Sequence, residues 1–158
     1  MALRPIIVVG CGGSGGKTVQ LLRSSLEARL ERAGWTGGIP QAWQLLYIDT
    51  PTTQETALPG IPAIPAEDYT SLAQHYQKYD QISKQLLDAS GNHLDRLTGW
   101  LPQPPLLVPL DEGAGQMRAV GRAVAFASFR DVGPRLHAAF NDAKNGMAEL
   151  HQLQSILE

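Results

Sequence analysis

The residues of this chain best suited to chemistry are glycines rather than titratable groups. Gly10, Gly12, Gly13, Gly15 and Gly16 crowd between an apolar run at 6–9 and a helical pattern that begins at Lys17. Glycine supplies the positive φ of a tight turn and carries no Cβ to keep backbone away from a ligand. After such a turn the unpaired amides that open a helix favour an anionic group by roughly 0.3–1 kcal/mol. The chemistry implied is the cradling of phosphate. The alternative is a turn that only lets a helix sit close on a strand.

A second stretch has the same character. Asp111-Glu112-Gly113-Ala114-Gly115-Gln116 follows an apolar run at 106–110 and leads into another helical pattern; if the strands are parallel, its amides and Arg118 or Arg122 are expected to reach the far end of a polyphosphate, the alternative being a cap followed by solvated arginines. Between the two loops, a second apolar run at 43–48 stops at Asp49-Thr50-Pro51. In open α/β sheets ligands gather at the carboxyl ends of the strands, so Asp49 is expected on the rim that carries the first glycines. As a turn residue before proline it has a second, purely local reading.

The first loop approaches several templates. Gly10-x-Gly12-x-x-Gly15 satisfies the dinucleotide fingerprint, but no acidic residue closes a second strand about 20 positions further on, and Asp49 is much more distant. The P-loop pattern fails by one residue: counting back from Gly16 of Gly16-Lys17-Thr18, its first glycine falls on Cys11. Lys17 therefore reads as the start of a helix. No Ser-His-Asp set or metal cluster can be assembled from the scattered His75, His93, His137 and His151. Cys11, the single cysteine, excludes an internal disulfide and lies within the loop, near the helix dipole.

The elements that must position these loops follow from periodicity. The β-branched run at 6–9 suits a strand covered on both faces, as in a parallel sheet. Val19, Leu22, Leu26, Leu30 and Ala33 form one helical stripe, ended by Gly34. After the strand at 43–48, the prolines at 51, 59, 62 and 65 impose a long extended loop over 51–65. Tyr69, Leu72, Tyr76, Tyr79, Ile82 and Leu86 then predict a helix over 66–89, broken at Gly91-Asn92, with tyrosines that pack rather than stack on bases. A short turn is expected in 94–101, with Trp100 in a core or interface. The run at 106–110 is a third strand candidate, weakened by Pro109. Helices are expected from Met117 to about Asp131, stopped by Gly133-Pro134, and from about 134 onwards with a weak point at Asn145-Gly146.

Composition adds exclusions. With 158 residues, 43% hydrophobic and 18% charged, and a net charge of −2, the chain suits one globular core and gives no electrostatic case for nucleic acid or an anionic membrane. No run approaches spanning length and no signal peptide is visible, so a cytoplasmic location is expected.

Taken together, the run Ile7-Val8-Val9-Gly10-Cys11-Gly12-Gly13, the Tyr47-Ile48-Asp49-Thr50 strand end and Gly113-Ala114-Gly115-Gln116-Met117-Arg118-Ala119-Val120-Gly121-Arg122 resemble the tubulin/FtsZ superfamily, most closely its bacterial tubulin-like branch. The resemblance implies an α/β, Rossmann-like, mainly parallel sheet flanked by helices, incomplete in this chain. It implies GTP and Mg as cofactors, with phosphate contacts at Gly10, Cys11, Gly12 and Gly13, a magnesium-side role for Asp49, and γ-phosphate contacts at Ala114, Gly115 and Gln116. It also implies nucleotide-controlled self-association. The family's Gly-Gly-Gly-Thr-Gly-Thr-Gly loop, its guanine-reading part and its hydrolysis-completing acidic loop are not found in this sequence. Residues 1–158 are thus expected to form the N-terminal portion of a nucleotide-binding domain, with hydrolysis only when those loops are supplied and with one unpaired apolar edge on the first strand. A Rossmann-type dinucleotide- or adenylate-binding enzyme, using Asp49 for ribose, is the other reading.

Overall fold

A computed structural model describes residues 2–55, 58–73, 78–90, 97, 99–102, 106 and 108–158. The elements in order are β1 (Ile6–Cys11), α1 (Gly12–Arg32), β2 (Trp43–Asp49), a 3₁₀ turn (Ala66–Asp68), β3 (Tyr69–Ser71), α2 (Tyr79–Ser90), α3 (Arg118–Ala127), α4 (Phe129–Asn145) and α5 (Met147–Leu157). The sheet order is β1-β2-β3, and β1 and β2 run parallel, from Ile6 opposite Trp43 to Cys11 opposite Ile48. The chain divides into two compact units, one of Met1–Ile48, Thr56–Thr70 and Pro134–Glu158, the other of Asp49–Glu55 and Ser71–Gly133. This is the expected α/β architecture.

In the first unit the αβ layer forms as its pattern requires. Val19, Leu45, Tyr47 and Ile64 make a buried cluster, with Val8, Leu22 and Leu26 packed against it. α1 ends in a Schellman motif: the Gly34 amide donates to Glu31 and the Trp35 amide to Leu30, while Gly34 takes φ +87. Leu45, Leu46, Tyr47 and Ile48 are all buried, so β2 is covered on both faces. β1 is not: Ile6, Ile7 and Val9 are 49, 38 and 37% exposed. The expectation of a doubly covered first strand is corrected, because β1 lies at the edge of the sheet order with β2 as its strand neighbour among the described residues. Asp68 accepts from Arg23 (3.1 Å) and Arg135 (2.7 Å), which pins the 3₁₀ turn to α1 and α4.

The expected helix over 66–89 is corrected as well. Its first part is the 3₁₀ turn followed by β3, and a helix begins only at Tyr79. Tyr69 sets its ring edge-on to Tyr47 at 5.0 Å, so a partner on β2 overrides the local helical spacing. Tyr76, His75, His93, the Gly91-Asn92 break and Leu107 lie outside the described residues.

In the second unit α2 packs on α3, and Tyr79, Ile82, Leu97, Leu110, Val120 and Val124 are buried. Residues 106 and 108–110 form no strand. Pro109 makes one isolated antiparallel bridge with Lys78, as expected of a residue that lacks the amide a ladder needs. The helix break falls at Ser128 rather than at Gly133-Pro134. Ser128, buried, donates from Oγ to the Leu72 carbonyl at 2.7 Å, and Pro134 sits inside α4 as its sixth residue, where it removes one backbone hydrogen bond without ending the helix. The break at Gly146 is where the sequence places it, and a Cβ there would lie 2.3 Å from the Ala42 nitrogen.

Candidate functional site

The first glycine run is shorter as a loop than its composition implies. β1 continues through Cys11 and α1 begins at Gly12, so Gly13, Gly15 and Gly16 are helical and Lys17 is already inside the helix. Close packing is the reason. A Cβ on Gly10 would lie 2.4 Å from the Gly15 carbonyl oxygen, and one on Gly16 would lie 2.3 Å from the Tyr47 ring. Gly10, Gly15 and Gly16 thus seat α1 on the strands, the role weighed above as the alternative to phosphate binding.

Gly12 is different. It holds φ +70, and a Cβ there would meet nothing within 4 Å. The preceding Cys11 is exposed and extended, at the N-cap of α1, and makes no side-chain cap; no acidic residue stands in the first turn. The junction therefore presents a positive dipole end with no carboxylate of its own helix beside it. Gly10, Cys11, Gly12 and Gly13 are consecutive here. Thr18 donates its hydroxyl to the Ser14 carbonyl at 3.0 Å, a within-helix bond unlike the metal-directed threonine of a P-loop.

Asp49 is the last residue of β2, one position beyond Ile48, the register partner of Cys11. Its Oδ1 accepts the Thr50 amide at 2.7 Å, so the local turn role is real. Its carbonyl accepts the Leu72 amide at 2.8 Å, and that of Thr50 accepts the Ala73 amide at 3.1 Å. The segment after β3 thereby fixes the backbone at Asp49. The buried Thr50 and Ser71 flank this backbone, a role that no local pattern around Tyr69-Thr70-Ser71 signals in the sequence.

Residues 113–116 form a turn of unusual backbone. Gly113, Gly115 and Gln116 take φ +119, +59 and +62, Gln116 being the one non-glycine residue with positive φ among those described. The Gly113 amide donates to Leu110 and the Met117 amide to Ala114, which leads into α3, where Met117 supplies no side-chain cap. A Cβ on Gly113 would stand 3.7 Å from Pro51 Cγ, so within the second unit this loop adjoins the turn that follows Asp49. The structure brings Asp49 and residues 113–116 into one unit, and it holds Gly10, Cys11, Gly12 and Gly13 in the other.

No group of three or more His, Cys, Asp or Glu side chains able to hold a metal occurs among the described residues. The apolar groove of Pro5, Ile7, Phe140, Ala143 and Met147 lies toward the amino end of β1, whereas the glycine junction is at its carboxyl end. No described helix is long and apolar enough to cross a membrane. Comparison with protein-family models matches residues 7–157 to the model described as tubulin like. No curated protein and no solved structure gives a match.

Proposed function

This chain belongs to the tubulin-like family, and on that premise we propose that it binds GTP with magnesium and that the nucleotide controls its self-association. The observation that carries the reading is Gly12: a positive φ with open space where a Cβ would stand, at a helix start without a side-chain cap. In this reading the amides at Gly10, Cys11, Gly12 and Gly13 hold phosphate, and Asp49 stands on the magnesium side. Ala114, Gly115 and Gln116 meet the γ-phosphate, and their strained turn is the element that relaxes when that group leaves. Magnesium, when bound, neutralises phosphate charge. Hydrolysis belongs to the assembled site, once the glycine-threonine and acidic loops of the family are supplied, with residues 1–158 as the N-terminal portion of that domain.

Competition binding with GTP, GDP, ATP and NAD tests the reading. GTP is expected to bind best, and Gly12→Val with Gly13→Val to abolish binding. Tighter binding of NAD or ATP would sink it in favour of a Rossmann-type enzyme. Asp49→Asn keeps an oxygen for the Thr50 amide and should remove the magnesium dependence of GTP affinity, about tenfold, with little change in melting.

A further inference from the structure

Arg122, an exposed residue in the second turn of α3, sets its guanidinium 4.1 Å above the centre of the Trp100 ring. A cation–π contact of this kind uses no N–H donor in a conventional hydrogen bond, so the donors of the guanidinium stay available to an acceptor. A long flexible side chain is thereby held as a planar fork, the geometry that matches phosphate oxygens two at a time. The backbone beside it is seated on the 113–116 loop: a Cβ on Gly121 would lie 3.6 Å from that of Ala114, and the Gly121 amide donates to Met117. Arg118 stands one turn earlier on the same side of the helix, and no acidic residue occupies the first turn. Arg118, in that first turn, opposes the helix dipole, an arrangement that an anion reconciles.

We infer that Arg122 is a specificity-determining residue for the terminal phosphate of a nucleoside triphosphate, and that Trp100 is the positioning residue that holds its fork ready. This rests on the nucleotide reading above and deepens it, since it assigns triphosphate-against-diphosphate preference to a side chain as well as to loop amides. The stacked pair lies wholly in the second unit, together with Asp49 and residues 113–116.

The test is the ratio of GTP to GDP affinity, with inorganic tripolyphosphate as a base-free probe. Arg122→Gln should lower GTP and tripolyphosphate affinity about tenfold and leave GDP within about twofold. Trp100→Leu should lower GTP affinity about threefold, whereas Trp100→Phe, which keeps a ring face, should stay near the original value. Thermal melts identify any variant that fails to fold, and Arg122→Lys, with charge but no fork, should fall between Gln and Arg. Equal loss of GTP and GDP in Arg122→Gln, or an unchanged ratio in Trp100→Leu, overturns the inference while nucleotide binding stands. Arg122-dependent binding of tripolyphosphate without binding of GTP overturns the guanine-nucleotide reading and supports the phosphate role. Absence of all binding overturns both.

Discussion

At the scale of single residues, glycine does two different jobs within seven positions. Gly16 is a contact glycine, and Gly16→Ala drives a Cβ into the Tyr47 ring; overpacking of this kind costs about 1–3 kcal/mol. Gly12→Ala meets no atom, and its cost is the left-handed backbone alone, about 1 kcal/mol. Urea melts should therefore rank Gly16→Ala as the more damaging, and nucleotide binding should rank Gly12→Val above Gly16→Ala. Combining Gly16→Ala with Tyr47→Leu should recover part of the loss, because the two substitutions share one volume. The residue types of the site were legible because a glycine cluster after an apolar run has few explanations. The division of labour was not, since the atoms that exclude a Cβ, on Gly15 and Tyr47, are selected by the fold rather than by spacing.

At the scale of elements, α1, β2 and the break at Gly146 could be read directly, because a sustained stripe, a buried apolar run and a glycine stop are local signals. β3 and the break at Ser128 could not. Each is decided by a partner far along the chain, β2 for Tyr69 and the Leu72 carbonyl for Ser128. Residues 106 and 108–110 show the converse: apolar content without a ladder amide at Pro109 does not make a strand there. Two measurements follow at this scale. Asp68→Asn weakens the acceptor between Arg23 and Arg135 and should cost about 1–2 kcal/mol, discounted for partial exposure. At the start of α2, Tyr79 is buried and donates to the Pro102 carbonyl at 2.8 Å, and burial raises its hydroxyl above the ordinary 10.0. The unfolded chain therefore ionises first. The stability due to neutral Tyr79 is complete below pH 10 and is lost as pH rises through the folded value, so Tyr79→Phe should flatten the alkaline limb of a urea-midpoint profile.

For the whole molecule, the exposed apolar residues of β1 set solution behaviour. Ile7 lines the groove with Phe140 and Met147 and remains 38% exposed, on a strand that among the described residues has β2 as its one strand neighbour. Light scattering at micromolar concentration should detect association, and Ile7→Lys should reduce it at a cost in stability of about 1–2 kcal/mol from lost apolar burial. Scattering that is low and indifferent to Ile7→Lys would contradict this. The partition into units has a further consequence, for synthesis. The chain passes between the units after Ile48, Glu55, Thr70 and Gly133, so the second unit is inserted within the first. On the ribosome every residue of the second unit emerges before Pro134–Glu158 can close the first. The unit begun earliest is finished last, and until then β1 and α1, with the glycine junction between them, wait without α4 and α5 beside the strand.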